Sequence, residues 1–573
     1  GDMTTAKKFA LLAEKNAKTR REQIAVLKSL TSIYGKLEQY REALSSGLKL
    51  IDELDLNFIG DERERLLNDL YHYTVNMWPK SKNDYRNAFQ LADLLQRYGL
   101  NEKAIDILEN YSNDWPSDMT DQVKFKTAYI QGFKLDEELY GQNILRKLRA
   151  ENLSNELRIK VDYYHASLWN KMGIEKRAEK HWVELISSYP GSFYSKLAFS
   201  RLISNLLREG DIDEARETFE KWKSRVKFDL SSIKWNFFFI YFENKDYDQG
   251  LEILSSIDSK ENQTRKLFWK YKLSSYTDLP YFTRLSFIDD ITRFPIDYYS
   301  LLASEKGWLK GFLSIYYPFD RETITKDEAF NFVIDRNQND QDKLKAINLT
   351  KSLQELELHD LALSQWDKLS EEIEEPYYSI IKIHLERKAG NYRNSIHLAN
   401  DLTEKMKSGE KSPPRNLLKL SYPRKYYEAV SKASEEFSIP ESLIFATIRQ
   451  ESAFEHKAHG TAGERGLMQI MPGTAKGIAE DLNLSDFNLR DLYEPELNIR
   501  MGAYYLSLQY NRFGNLRLAS TAYNAGGGNV SNWLNNLDRE DNDLFIEKIP
   551  ISYTNRYVKA VFRDLMIYNE ING

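Results

Sequence analysis

Glu451 is the residue of this chain whose type and position best suit proton transfer. The stretch Ser438-Ile439-Pro440-Glu441 reads as a helix opening, with Ser438 as the cap, Glu441 closing a capping box and Pro440 in the first turn. Ile444 and Ile448 then mark a buried stripe, and three residues further the stripe lands on Glu451. A carboxylate on the apolar face, near the helix C-terminus, meets two effects of the same sign. Burial disfavours its charged form, and so does the negative end of the helix dipole. Both raise its pKa, as a general acid working near neutrality requires. On position alone, a salt-bridged or capping glutamate is the more ordinary reading.

Residues able to bind or orient a polar substrate follow it in ordered phrases. Gln450-Glu451-Ser452-Ala453-Phe454 is followed by Gly466-Leu467-Met468-Gln469-Ile470-Met471-Pro472. Later come Asn498-Ile499 with Gly502, and then Ala522-Tyr523-Asn524-Ala525-Gly526. Ser452 offers a hydroxyl beside the acid, or caps the turn after it. Met468 and Gln469 follow a glycine-rich loop, and the Gln469 amide can both donate and accept, or simply brace the loop. Tyr523 can hold Glu451 or a bound group, or merely pack.

These side chains need elements to position them. Before residue 405 glycine and proline are scarce and apolar residues recur at helical spacing, which predicts helices throughout. One phrase also repeats: a small residue, a large apolar residue four on, and another three later. It reads Ala104, Leu108, Tyr111; Ala178, Trp182, Leu185, with Pro190 following; Ala215, Phe219, Trp222; and Gly250, Leu254, Ile257. It returns as Ala362, Trp366, Leu369 and, opened by Ser395, as Ala399, Leu402. Several intervals lie near the ~34-residue period of a tetratricopeptide helix pair. Residues 1–406 are therefore expected to form a TPR-like superhelix, each pair burying its apolar face on its neighbours. Residues 407–416, with Ser, Gly and a Pro pair, read as a linker. After it, glycines cluster between Gly460 and Gly477 and at Gly526 to Gly528, in loops where a site would be built. Residues 417–573 are expected to form one domain able to fold alone.

The four phrases, in order and spacing, resemble those of the soluble lytic transglycosylases, over roughly residues 417–573. Upstream, Tyr298-Tyr299-Ser300-Leu301-Leu302-Ala303 is similar to a phrase in the helical region of that family. With the repeats, this resemblance implies an all-α chain of the long, ring-like, multidomain branch, ending in a mainly α, goose-type lysozyme-like catalytic domain. It implies cleavage of the β-1,4 bond between N-acetylmuramic acid and N-acetylglucosamine without water. A single glutamate, here Glu451, protonates the glycosidic oxygen, and the substrate's acetamido carbonyl stabilises the positive carbon. The same glutamate then deprotonates the C6 hydroxyl, closing a 1,6-anhydro ring. No second catalytic carboxylate is expected, unlike the paired-carboxylate glycosidases. Ser452, Met468, Gln469, Tyr523, Asn524 and Tyr557 are the implied substrate-binding set, Tyr557 as an aromatic closing the cleft floor. The pattern is broken at Gly460, where the family often has serine, and at Glu464, where a small residue is usual. It is broken again after Ile549-Pro550, where Tyr553 and Asn555 replace an acidic residue and an arginine. Glu547 matches a family glutamate, with a structural or a substrate role.

Composition narrows the alternatives. The 573 residues allow about three or four domains. A net charge of −6 gives no electrostatic footprint for nucleic acid. With no cysteine, disulfides, thiol catalysis and cysteine zinc sites are excluded. His456 and His459, the nearest pair of eight histidines, have no further ligand nearby and read as surface residues, so no metal or other cofactor is expected. No apolar run reaches the ~20 residues of a membrane span. Gly1-Asp2-Met3 reads as a trimmed start, compatible with removal of a signal peptide. The expected partners are peptidoglycan glycan strands, with the array either a scaffold or a surface that guides strands or binds cell-wall proteins. The substrate places the chain in the periplasm or cell envelope. Two other readings remain: a lysozyme-type hydrolase using water, and a helical-repeat adaptor with an inactive catalytic domain.

Overall fold

The repeated phrases explain why the computed structural model is built from short paired helices. It describes residues 2–53, 61–77, 81–111, 114–258, 262–309, 324–408, 415–460, 462–535 and 541–572. Each phrase falls on or just beyond the second helix of a pair. Asn155–Lys171 packs on Glu175–Ser188, Phe193–Glu209 on Ile212–Lys223, Ser231–Glu243 on Tyr247–Ser255, and Tyr377–Lys388 on Tyr392–Ser408. Small and large members of the phrases pack together in the core: Ala178, Trp182, Ala362 and Trp366 are all fully buried. Truncating such a tryptophan would cost about 3–5 kcal/mol. Polar residues set the helix ends. Ser192 caps Phe193–Glu209 through its side chain, and Gly210 closes that helix in the left-handed region with φ 86°.

The chain divides into two compact units, one holding the bulk of the sequence to Asp289, the other the chain from Asp290 onward together with residues 17–23. In the first, Trp182, Phe199, Phe219 and Trp222 belong to one continuous core. In the second, the last repeats form a core around Phe330, Trp366 and Tyr378. Leu417 and Leu420, at the start of the domain expected from sequence, pack into that repeat core. The expected linker lies mostly at 409–414, outside the described residues; its first two positions continue the Tyr392–Ser408 helix.

Beyond it, helices Tyr427–Phe437, Glu441–Glu451, Pro472–Asp481, Pro495–Phe513, Leu516–Ala525 and Ser552–Asn572 build the region that carries Glu451. The Glu441–Glu451 helix lies against the final helix, which also packs on Leu516–Ala525. Among the described residues there is no strand, only isolated bridges pairing His459 with Arg465 and Arg465 with Ile470. No described helix is long and apolar enough to cross a membrane.

Candidate active site

The glutamate helix starts differently from the sequence expectation. Ser438 ends the preceding helix in the left-handed region at φ 54°, Pro440 takes the cap position, and no side chain caps the helix. Ser438 therefore cannot adopt the extended backbone a cap needs, and Glu441 pairs with Arg424 at 2.9 Å instead of closing a capping box. The buried face is broader than a stripe, since every residue from Ser442 to Ile448 is buried. Glu451 is the last residue of this helix. Part of its side chain reaches solvent, but its carboxyl lies deep among protein atoms. Burial pushes its pKa up to about 8, the Glu464 carboxylate adds to the rise, and a hydrogen bond from Tyr557 opposes it. The Tyr557 hydroxyl donates to Glu451 Oε1 at 2.6 Å. Glu451 Oε2 has no protein hydrogen-bond partner among the described residues.

Flanking residues fix the end of the helix. The Asp564 carboxylate, fully buried, accepts from Arg449 Nη1 at 2.7 Å, from Arg563 Nη2 at 2.8 Å and from the Tyr422 hydroxyl at 3.2 Å. Gln450 donates to the same carboxylate, so both residues before Glu451 are tied to the final helix. After it, the chain turns through Ala453 and Phe454, at φ 49° and 69°, a conformation costly for non-glycine residues unless the surroundings hold it. Phe454 is fully buried, and Arg393 from the last repeat donates to the Ser452 carbonyl at 3.3 Å.

The glycine-rich loop is assembled around Asn498. Its Oδ1 accepts from Met468 N at 2.8 Å, and its Nδ2 donates to the Arg465 and Leu492 carbonyls at 3.0 and 2.8 Å. Gly466 lets the loop come that close: it has φ 79°, and a Cβ there would lie 2.1 Å from the Leu492 carbonyl oxygen. At Gly502 a Cβ would collide with Met468 Sδ at 2.3 Å, so the small residue makes room for a fully buried methionine. Gln469 follows at φ 48°, its Nε2 held by the carbonyls of Ala458 and Gly466 at 3.1 and 2.8 Å.

The structure thus gives each sequence-predicted residue a place. Glu451, Tyr523 and Tyr557 come together, for the charge on Glu451 raises the pKa of both hydroxyls beyond the large effect of burial. The hydroxyl that holds Glu451 is that of Tyr557; the Tyr523 hydroxyl donates instead to the Met468 carbonyl at 2.7 Å. Tyr557 is more than an aromatic cleft floor. Asn524 accepts from Thr554 at 2.8 Å. Ser452 is buried and donates to the Ile448 carbonyl at 3.1 Å, bracing the helix end. Glu547 is tied to Tyr299 at 2.6 Å and Lys559 at 2.9 Å, so it joins the Tyr298–Glu305 helix to the final helix. Asn555 donates to the Ile546 carbonyl, while Tyr553 stays 61% exposed. His459, expected at the surface, is buried and bonded to the Tyr493 hydroxyl at 2.8 Å. Sequence reasoning missed Asp564 and Arg449, partners 115 positions apart, which no local pattern pairs.

Comparison with known proteins finds likeness in both sequence and fold. The family model described as Transglycosylase SLT domain matches residues 428–546. A soluble lytic murein transglycosylase of Salmonella typhimurium is 41% identical over 155 residues, covering 26% of this chain and 24% of that protein. Its Escherichia coli counterpart is 41% identical over 143 residues, covering 24% of this chain and 22% of that protein. The chain thus aligns with about a quarter of the length of these curated relatives. Whole-chain likeness appears at the level of fold. The structure of an inactive mutant of the lytic transglycosylase Slt from Pseudomonas aeruginosa covers 100% of this chain and 97% of its own, with TM-score 0.57 and 18% identity. That of a 70-kDa soluble lytic transglycosylase in complex with bulgecin A covers 100% and 89%, with TM-score 0.62 and 17% identity. The all-α, helix-repeat fold is that of these structures, and residues 428–546 match the Transglycosylase SLT domain.

Proposed function

We propose that this chain cleaves the β-1,4 bond between N-acetylmuramic acid and N-acetylglucosamine in peptidoglycan, leaving a 1,6-anhydro-muramoyl end. Glu451 is the acid and then the base. Its protonated carboxyl gives a proton to the glycosidic oxygen as the C1–O4 bond breaks, while the acetamido oxygen of the same muramoyl sugar stabilises C1. The ionised carboxylate then takes the proton of the C6 hydroxyl as O6 bonds to C1, which returns Glu451 to its starting state. The observation that carries this reading is a carboxyl whose pKa burial pushes up to about 8, with one oxygen held by Tyr557 and the other without a protein partner. Burial keeps the acid protonated at working pH, and the Tyr557 hydrogen bond stabilises the anion needed for the second step.

In this reading Gln469 offers its amide oxygen to the sugars. Tyr523, Asn524 and Met468 shape the cleft around it, and Ser452 braces the helix that carries the acid. Residues 417–573 are the catalytic domain and the repeats form the array before it. The glycan substrate places the chain in the periplasm or cell envelope. Binding and turnover of a defined glycan strand by Glu451→Gln test the assignment. Turnover should vanish while strand binding persists; a variant retaining more than about a tenth of the parent rate would place the acid elsewhere, given the ~10²–10⁴-fold typical of general acid catalysis.

A further inference from the structure

Two departures from the family pattern, Gly460 and Glu464, meet in the structure. A Cβ at position 460 would lie 2.0 Å from Glu464 Oε2 and 3.0 Å from Gln469 Oε1. The missing side chain is therefore what lets the carboxylate and the carboxamide oxygen converge on one point. Gln469 cannot be turned round, because its Nε2 donates to two backbone carbonyls, and a flip would set oxygen against oxygen. Its Oε1 is thus a fixed acceptor. Glu464 Oε2 accepts from Ala462 N at 3.0 Å, and no cationic side chain pairs with Glu464 among the described residues. The residue is half-buried. Two acceptor oxygens, one of a carboxylate, thus face the same space, and among the described residues the Ala462 amide donates to the carboxylate oxygen while no side-chain donor reaches either.

We infer that Glu464 and Gln469 bind a primary ammonium group carried by the glycan strand, so that this chain selects strands with free amines. The inference rests on the glycan-cleaving reading of the site. An ammonium supplies the donor Gln469 Oε1 lacks, a further donor to the Glu464 carboxylate and the counter-charge that carboxylate lacks, whereas a hydroxyl or amide supplies no charge. Two sources share this chemistry: the 2-amino group of a de-N-acetylated glucosamine, and the free amine of a diamino acid in the stem peptide. The muramoyl sugar at the cut is excluded, because its acetamido group takes part in the reaction.

Calorimetric binding to full-length Glu451→Gln, which holds strands without cutting them, tests this. One arm compares N-acetylglucosamine oligomers with partly de-N-acetylated oligomers of equal length. The other compares peptide-bearing strands before and after acetylation of their amines. The free-amine ligand of one arm should bind roughly three- to tenfold more tightly, as for a charge-assisted contact partly screened by solvent, and the preference should shrink with salt. It should disappear when Glu464→Gln is added, and also with Gly460→Ser, whose side chain pushes the carboxylate away. Equal affinities within both arms, or a preference that survives Glu464→Gln, would overturn the inference alone. No binding of any strand would overturn the functional reading with it.

Discussion

Replacing Glu451 by Gln should stabilise the fold near neutral pH as well as remove activity, and the size of the gain follows from the site. The carboxyl has an ordinary value of 4.5 and is pushed up to about 8 in the folded chain. A raised folded value means the group favours the native state most below pH 4.5 and loses that contribution as pH climbs toward 8. Each pH unit in that window costs about 1.4 kcal/mol, so at pH 7 the wild-type carboxyl destabilises the fold by at most roughly 3 kcal/mol. Solvent reaching the open side of Glu451 should reduce this to about 1–2 kcal/mol. The amide oxygen of Gln still accepts from Tyr557, so little is lost in exchange. Scanning calorimetry of both proteins, following the transition that unfolds the C-terminal unit, should show the variant melting higher at pH 7.5 and near parity at pH 5. A difference that does not change with pH would refute the argument, because the ionised carboxylate would then not be disfavoured in the fold.

Four further outcomes are expected. Tyr557→Phe deletes the hydrogen bond that lowers the pKa of Glu451, so the alkaline limb of the pH–rate profile should move up and kcat should fall about tenfold to a hundredfold; an unmoved limb would detach Tyr557 from the acid. Glu464→Gln removes a like charge, so the same limb should move down, the opposite sign. Asp564→Ala leaves two arginines without their buried partner and should cost about 3–5 kcal/mol in urea unfolding. A fragment from residue 417 loses the Arg393 contact to Ser452 and the Arg387 contact to Leu420, so it should melt lower than one beginning at Asp290; equal melting would make the repeats irrelevant to the site.

Much of this was legible in the sequence, for physical reasons that can be named. Trp182, Trp366 and their small partners declared the repeat because helix pairs can close only over such spacing, and all are buried. Gly466, Asn498 and Gly502 were legible as parts of phrases, and the structure shows why: each admits a contact that a larger or different side chain would block. What sequence could not supply was pairing at long range. Tyr557 reaches Glu451 across 106 positions, and Asp564 gathers Arg449, Gln450 and Tyr422 from a distant segment. Local patterns also misled where the backbone overrode them. Ser438 has the chemistry of a cap but sits in a left-handed turn, and His459 follows a polar stretch yet is buried against Tyr493.

The central claim is that one carboxyl, Glu451, serves as acid and then base with no water consumed. Mass spectrometry of the fragments released from purified sacculi tests it most directly. Every new muramoyl end should be the 1,6-anhydro form, lighter by one water than a reducing end. Fragments bearing only hydrated reducing ends would contradict the account.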